Sequence, residues 1–112
     1  VVAPCTGSTL ARLANAITDS PVIMGAKGTL RNGRPLVIAI SSNDILSGNA
    51  MNLAILLMRK YVYFVPFGQD NPEVKPWSCV ADFDLITDTV VAALEGRQLQ
   101  PLLIERRHRA VR

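Results

Sequence analysis

Histidine occurs once, at His108, and cysteine twice, at Cys5 and Cys79, in a chain of 112 residues. Two cysteines are too few for a disulfide framework, and neither sits in a cluster with metal-ligand spacing. With no imidazole in the body of the chain, Cys5 has no partner base. A small buried hydrophobe at a strand end describes it better than a nucleophile does. Long apolar runs are also missing. The longest, over residues 50–58, falls far short of the ~20 residues that cross a bilayer. The first residues carry neither the basic flank nor the apolar core of a secretory signal. There is no Walker loop and no dinucleotide fingerprint. These absences lead us to expect a protein of the reducing cytoplasm.

Charge of one sign is scarce in the body of the chain. Eight Lys/Arg and eight Asp/Glu cancel over residues 1–104, and the whole net charge of +3 comes from Glu105, Arg106, Arg107, Arg109 and Arg112. A nucleic-acid face would belong to the folded body. Residues 105–112 therefore read as a basic, solvated tail, and residues 1–104 as a single domain.

What is present is a core-forming composition, 49% apolar and 19% charged, which separates the chain from disordered sequences. Val1, Val2, Ala3 and Pro4 read as the end of a buried strand. Because a strand at residue 1 leaves its sheet neighbours unaccounted for, the chain is expected to be part of a larger fold. Leu10, Leu13, Ala14 and Ile17 fall at helical spacing. Ser20 followed by Pro21 is an N-cap with proline at the first helical position, and Asn32-Gly33 is a stop signal. The continuous apolar run at 35–40 suits a strand covered on both faces. Ser41, Ser42, Asn43 and Asp44 are expected to break it. Residues 50–60 predict a helix that is apolar almost all round, hence central or packed on a second chain. Residues 61–67 are β-branched and aromatic, predicting a third strand, and 83–94 predict a last helix ended by Gly96. Strands alternating with helices imply a parallel α/β sheet.

In such sheets ligands gather beyond the carboxyl ends of the strands. Three segments occupy that position, at 5–9, 41–44 and 68–77. The first offers the Thr6, Ser8 and Thr9 hydroxyls, Gly7, and a helix N-terminus with no acid in its first turn, an arrangement that suits a phosphate. An ordinary Ser/Thr N-cap accounts for the same residues. Asp44, Asp70 and Glu73 form no paired constellation and read as solvated loop charges. Trp77 could cover a ring-shaped ligand or meet a neighbouring chain.

The string Ala3-Pro4-Cys5-Thr6-Gly7-Ser8-Thr9, continuing to Asp19-Ser20, resembles the Ala-Pro-x-Thr-x-Asn-Thr segment of the flavoprotein superfamily. That group includes flavin-containing cysteine decarboxylases and flavin prenyltransferases. Asp19-Ser20-Pro21-Val22-Ile23-Met24-Gly25, Ile40-Ser41-Ser42-Asn43-Asp44, Pro66-Phe67-Gly68-Gln69-Asp70-Asn71-Pro72 and Gln98-Leu99-Gln100-Pro101 look like the B-subunit family of dipicolinate synthase in spore-forming bacteria. The resemblance covers residues 2–104. It implies a flavodoxin-like (Rossmann-like) three-layer α/β sandwich with a parallel sheet, of which this chain is the C-terminal half. It also implies FMN as cofactor, trimers or multiples of trimers, and joint action with the A subunit of dipicolinate synthase in oxidising dihydrodipicolinate to dipicolinate during sporulation. By the same resemblance Thr6, Gly7, Ser8 and Thr9 hold FMN near its phosphate and ribityl chain, while Ser41, Ser42 and Asn43 lie near the isoalloxazine. No catalytic residue and no metal ligand is implied. Ser8 stands where decarboxylases have Asn, and their Pro-x-Met-Asn motif is absent after Ile40, which argues against peptide decarboxylation. The decarboxylases' phosphate loop and active-site His belong to the other half of the fold, so this stretch alone is expected to hold flavin weakly. A prenyltransferase-like or decarboxylase-like FMN protein and a non-catalytic assembly partner that has lost its flavin remain open alternatives.

Overall fold

The computed structural model describes residues 1–105; the arginines of the expected basic tail lie outside the described residues. Its elements run β1 (Val2–Cys5), α1 (Gly7–Ala14), α2 (Pro21–Arg31), β2 (Leu36–Ser42), α3 (Ala50–Leu57), β3 (Val62–Phe64), β4 (Phe67–Gly68), β5 (Cys79–Ala81) and α4 (Ile86–Leu94). A single 3-10 turn at Phe83–Leu85 leads into α4.

β2 is the axis of the sheet. It pairs in parallel with β1, Val2 opposite Ile38, and with β3, Ile38 opposite Phe64. The three expected strands are therefore parallel, as the alternation of apolar runs and helices implies. Successive strand residues face opposite sides, and all five residues of 36–40 are buried, so both faces of β2 are covered. α1 packs on α2 and α3 to make one layer, while α4 lies on β2 and β3 apart from them and forms the other. Leu10, Leu13, Ile23, Leu53 and Leu56 project from the first layer into the core. Each such side chain contributes roughly 1.5–3 kcal/mol on burial.

The strand expected over 61–67 is divided. Pro66 has no N–H to give to a ladder, so parallel pairing stops after Val65, whose N–H reaches the Ile38 carbonyl at 2.9 Å. The chain then bends into β4, which pairs antiparallel with β5, and β5 pairs antiparallel with the end of β2. These two short strands have too few residues for a period-2 signal. They also lengthen β2: Ser41 lies opposite Val80 and Ser42 opposite Cys79, so both serines are strand residues and the break comes after them.

The helix ends are set by local chemistry. Ser20 accepts the Ile23 N–H at 3.3 Å ahead of Pro21. Gly33 and Gly96 take positive φ of 68° and 78°. Each closes a Schellman motif, with Arg34 N–H on the Thr29 carbonyl and Arg97 N–H on the Ala92 carbonyl, both at 3.0 Å. α1 ends the same way but earlier than its apolar spacing suggests. Ala16 takes φ 57° and the Ile17 N–H returns to the Arg12 carbonyl. Ile17 therefore leaves the stripe and is half exposed. α3 stops at Leu57, short of residue 60, and Tyr61 at φ 71° turns the chain into β3.

The far edge of the sheet is closed by the segment after α4. The Gln98 side chain accepts the Phe64 N–H at 2.8 Å and donates to the Phe64 carbonyl at 2.6 Å, acting as a one-residue strand. Phe67 then exchanges two backbone bonds with Leu102 and Ile104, each at 3.0 Å.

Candidate functional site

The carboxyl ends of β1, β2 and β4 bring the three expected segments together. Thr6 is the N-cap of α1, and its hydroxyl accepts the Thr9 N–H at 3.4 Å and faces the Thr9 hydroxyl at 3.3 Å. The Ser8 hydroxyl accepts a hydrogen bond from the Arg12 guanidinium one turn on, and Arg12 also pairs with Asp19 at 3.1 Å. Thr6 and Ser8 are exposed, so this turn opens to solvent with a cation beside it. Arg12 is invisible to an argument based on loop composition, although its i+4 spacing from Ser8 is a signal that places it there.

Gly7 faces inward. A Cβ at this position would lie 2.7 Å from the Ser42 Oγ, 2.8 Å from the Asn49 Nδ2 and 3.0 Å from the Asp44 Oδ1. The space that a Cβ would need at Gly7 is thus already taken by polar side chains of the same chain. No acid lies in the first turn of α1, as the sequence indicates, yet Asp44 brings a carboxylate to that turn from the β2–α3 loop. Its Oδ1 accepts the Ser42 hydroxyl at 2.6 Å and the Asn49 amide at 3.0 Å. Those bonds, Ser42 first, hold the Asp44 carboxyl below the ordinary carboxylate range. Asn49 is buried, and it accepts from Asn52 at 2.9 Å, which accepts from Asn15 at 3.0 Å. Asn49, Asn52 and Asn15 escape a sequence reading because the run they form with Asp44 joins residues up to 37 positions apart.

Of the sequence-derived candidates, Gly7 and Ser42 meet directly. Ser41 precedes Ser42 on a strand, so its side chain points to the opposite face, and Asn43 is exposed at the start of the turn. The third segment is tied in by the Leu46 N–H on the Trp77 carbonyl at 3.0 Å and by Gln69 on the Pro76 carbonyl at 2.9 Å. Trp77 itself remains 56% exposed. Within this segment Asp70 holds a buried Oδ1 with no hydrogen-bond partner. Burial first, and the Asp70 charge second, push the Cys79 thiol up. Burial alone pushes the Cys5 thiol up to about 12, as befits a core residue and not a nucleophile. Among the described residues no group of three His, Cys, Asp or Glu could hold a metal, and no helix is long and apolar enough to cross a membrane.

Three parallel strands between helix layers, extended by the antiparallel β5 and by β4, with polar loops gathered at the strand ends, define a flavodoxin-like α/β protein. No protein-family profile matches the chain. It is 53% identical over 105 residues to the B subunit of dipicolinate synthase from Bacillus subtilis strain 168, covering 94% of this chain and 52% of that protein. The crystal structure of the dipicolinate synthase B subunit from Bacillus halodurans superposes with a TM-score of 0.92 at 55% identity, over 94% of this chain and 54% of that one. The resemblance to dipicolinate synthase B subunits thus extends along nearly the whole chain, which spans about half the length of these relatives.

Proposed function

We propose that the chain is part of a flavoprotein, the B subunit of a dipicolinate synthase, which works with a dehydrogenase-like A subunit in oxidising dihydrodipicolinate to dipicolinate in sporulating cells. The observation that carries this reading is the 53% identity to a dipicolinate synthase B subunit over 94% of the chain, joined to a strand-end site of the kind that binds ligands in α/β sheets.

The residues present fit FMN with one refinement. The Asp44 carboxylate disfavours a phosphate beside Gly7. The Ser8 hydroxyl and the Arg12 guanidinium, on the solvent side of the same turn, suit the phosphate. Ser42 suits a hydroxyl of a ribityl chain, with Thr6 and Thr9 between. A bound flavin would supply hydride acceptance, and the protein would supply orientation and electrostatics. The outward side of α3 and its C-cap, where Met51 and Met58 are 77% and 80% exposed, is assigned to contact with further copies in a cytoplasmic oligomer, a trimer or a multiple of one.

The test is to purify the whole protein and record its visible spectrum, then assay dihydrodipicolinate oxidation with and without the A subunit. A flavin spectrum, together with oxidation that depends on this protein, supports the reading. A colourless protein that binds no added FMN but still raises the activity of the A subunit makes it a non-catalytic assembly partner instead.

A further inference from the structure

The amides that connect α1 to Asp44 all point the same way. Asn15 donates to Asn52 at 3.0 Å, Asn52 to Asn49 at 2.9 Å, and Asn49 to Asp44 at 3.0 Å. A primary amide both donates and accepts, so a run of amides alone could be reversed. An ionised carboxylate only accepts. Asp44 therefore terminates the run as its charged acceptor, in the same sense that the Ala11 carbonyl sets at the Asn15 end, and the members polarise one another along it.

The run brackets α1. At one end the Asn15 amide also donates to the Ala11 carbonyl at 2.8 Å, in the last turn of the helix. At the other end Gly7 rests on Ser42, Asn49 and Asp44, the three side chains that meet at the Asp44 Oδ1. The Asp44 side chain is not needed to shape its own turn. That turn is closed by the Ser47 and Asn49 N–H groups on the Asp44 backbone carbonyl, at 3.1 and 2.9 Å.

We propose, on the reading that these loops hold the ligand, that Asp44 is the positioning residue of the site. Its carboxylate orients Ser42 and the Asn49–Asn52–Asn15 run, and so fixes the first turn of α1 against the end of β2 as one binding surface. Through the run it reaches residues at both ends of α1, far from it in sequence, which distinguishes it from a solvated loop charge.

The experiment uses Asp44→Ala and Asp44→Asn in the whole protein. It reads backbone hydrogen exchange by region and the dissociation constant for added FMN. Asp44→Ala is expected to speed exchange across α1 by about tenfold or more, while 36–40 and α4 stay within about twofold of wild type. FMN affinity falls by about tenfold in the same variant. Asp44→Asn keeps an acceptor oxygen for Ser42 and Asn49, so it should restore both readouts to within about threefold. Faster exchange confined to 42–49 would overturn the proposal, because Asp44 would then serve only its own loop. A uniform rise including 36–40 and α4 would overturn it too, by assigning Asp44 to global stability. So would an Asn variant no better than Ala. If the wild-type protein binds no FMN, the cofactor reading fails, and the exchange pattern still decides whether Asp44 positions α1.

Discussion

Replacing Gly7 by alanine separates the packing account of this residue from the common effect of the same change. At a helix position without positive φ, Gly→Ala ordinarily stabilises by about 0.4–1 kcal/mol through the unfolded chain. Here the new methyl would meet the Ser42 Oγ, the Asn49 Nδ2 and the Asp44 Oδ1 at 2.7–3.0 Å. Each is a side-chain atom that could rotate away alone. All three are joined through the Asp44 Oδ1, however, at 2.6 Å from Ser42 and 3.0 Å from Asn49, so moving one strains or breaks the bonds to the others. Overpacking of this kind costs about 1–3 kcal/mol, which after the entropic gain leaves Gly7→Ala less stable by about 1.3 kcal/mol at the middle of both ranges and by about 2.6 kcal/mol at most. Urea denaturation of wild type and variant measures the difference directly, provided the slope is unchanged. An alanine variant as stable as the parent, or more stable, would refute the reasoning and show that the polar cluster yields freely.

Gln98→Ala should leave the Phe64 N–H and C=O without their side-chain partner at the sheet edge, costing about 1–3 kcal/mol; Phe64 amide exchange should rise first, and an unchanged rate would show that the edge is closed by other groups. The Cys5 thiol is raised by burial, so its contribution is complete below the unfolded thiol pKa of about 8.5 and declines as pH rises towards the folded value of about 12. Native protein at neutral pH should accordingly leave Cys5 unalkylated until it unfolds, and rapid native labelling would contradict its place in the core. Met51→Glu with Met58→Glu should lower the oligomeric state in sedimentation while leaving the circular dichroism unchanged; an unaltered oligomer would place the contact between copies elsewhere.

Much of the frame is legible in the sequence, because apolar runs and cap residues act locally. Ser20-Pro21 sets the start of α2 to the residue, and Gly33 and Gly96 mark helix ends through the left-handed conformation they adopt. Residues 36–40 announce a strand buried on both faces by having no polar member. What escapes reading depends on contacts distant in sequence. β4 and β5 are too short to carry a period, and Ser41 and Ser42 look like turn residues until β5 pairs with them. α3 reads as apolar almost all round, yet within this chain only Leu53 and Leu56 are covered, with Asn52 turned to Asn49 and Asn15. The side chains of Ser42, Asn49 and Asp44 that gather against Gly7 come from another segment and leave no local signal. The absence of a first-turn acid is visible, but the carboxylate that Asp44 brings from another loop is not.

The central claim, that the turn at residues 6–9 holds FMN by its phosphate end, is tested most directly by titrating FMN and riboflavin into wild-type protein and into a Ser8→Ala, Arg12→Ala double variant. The turn offers hydroxyls and a helix N-terminus beside Arg12, and each charge-assisted contact is worth about 1.5–3 kcal/mol. FMN binding should therefore weaken by about tenfold or more, while riboflavin, which lacks the phosphate, is affected much less. Equal losses for both ligands would indicate damage to the fold, and no loss for either would contradict the assignment of the cofactor to this turn.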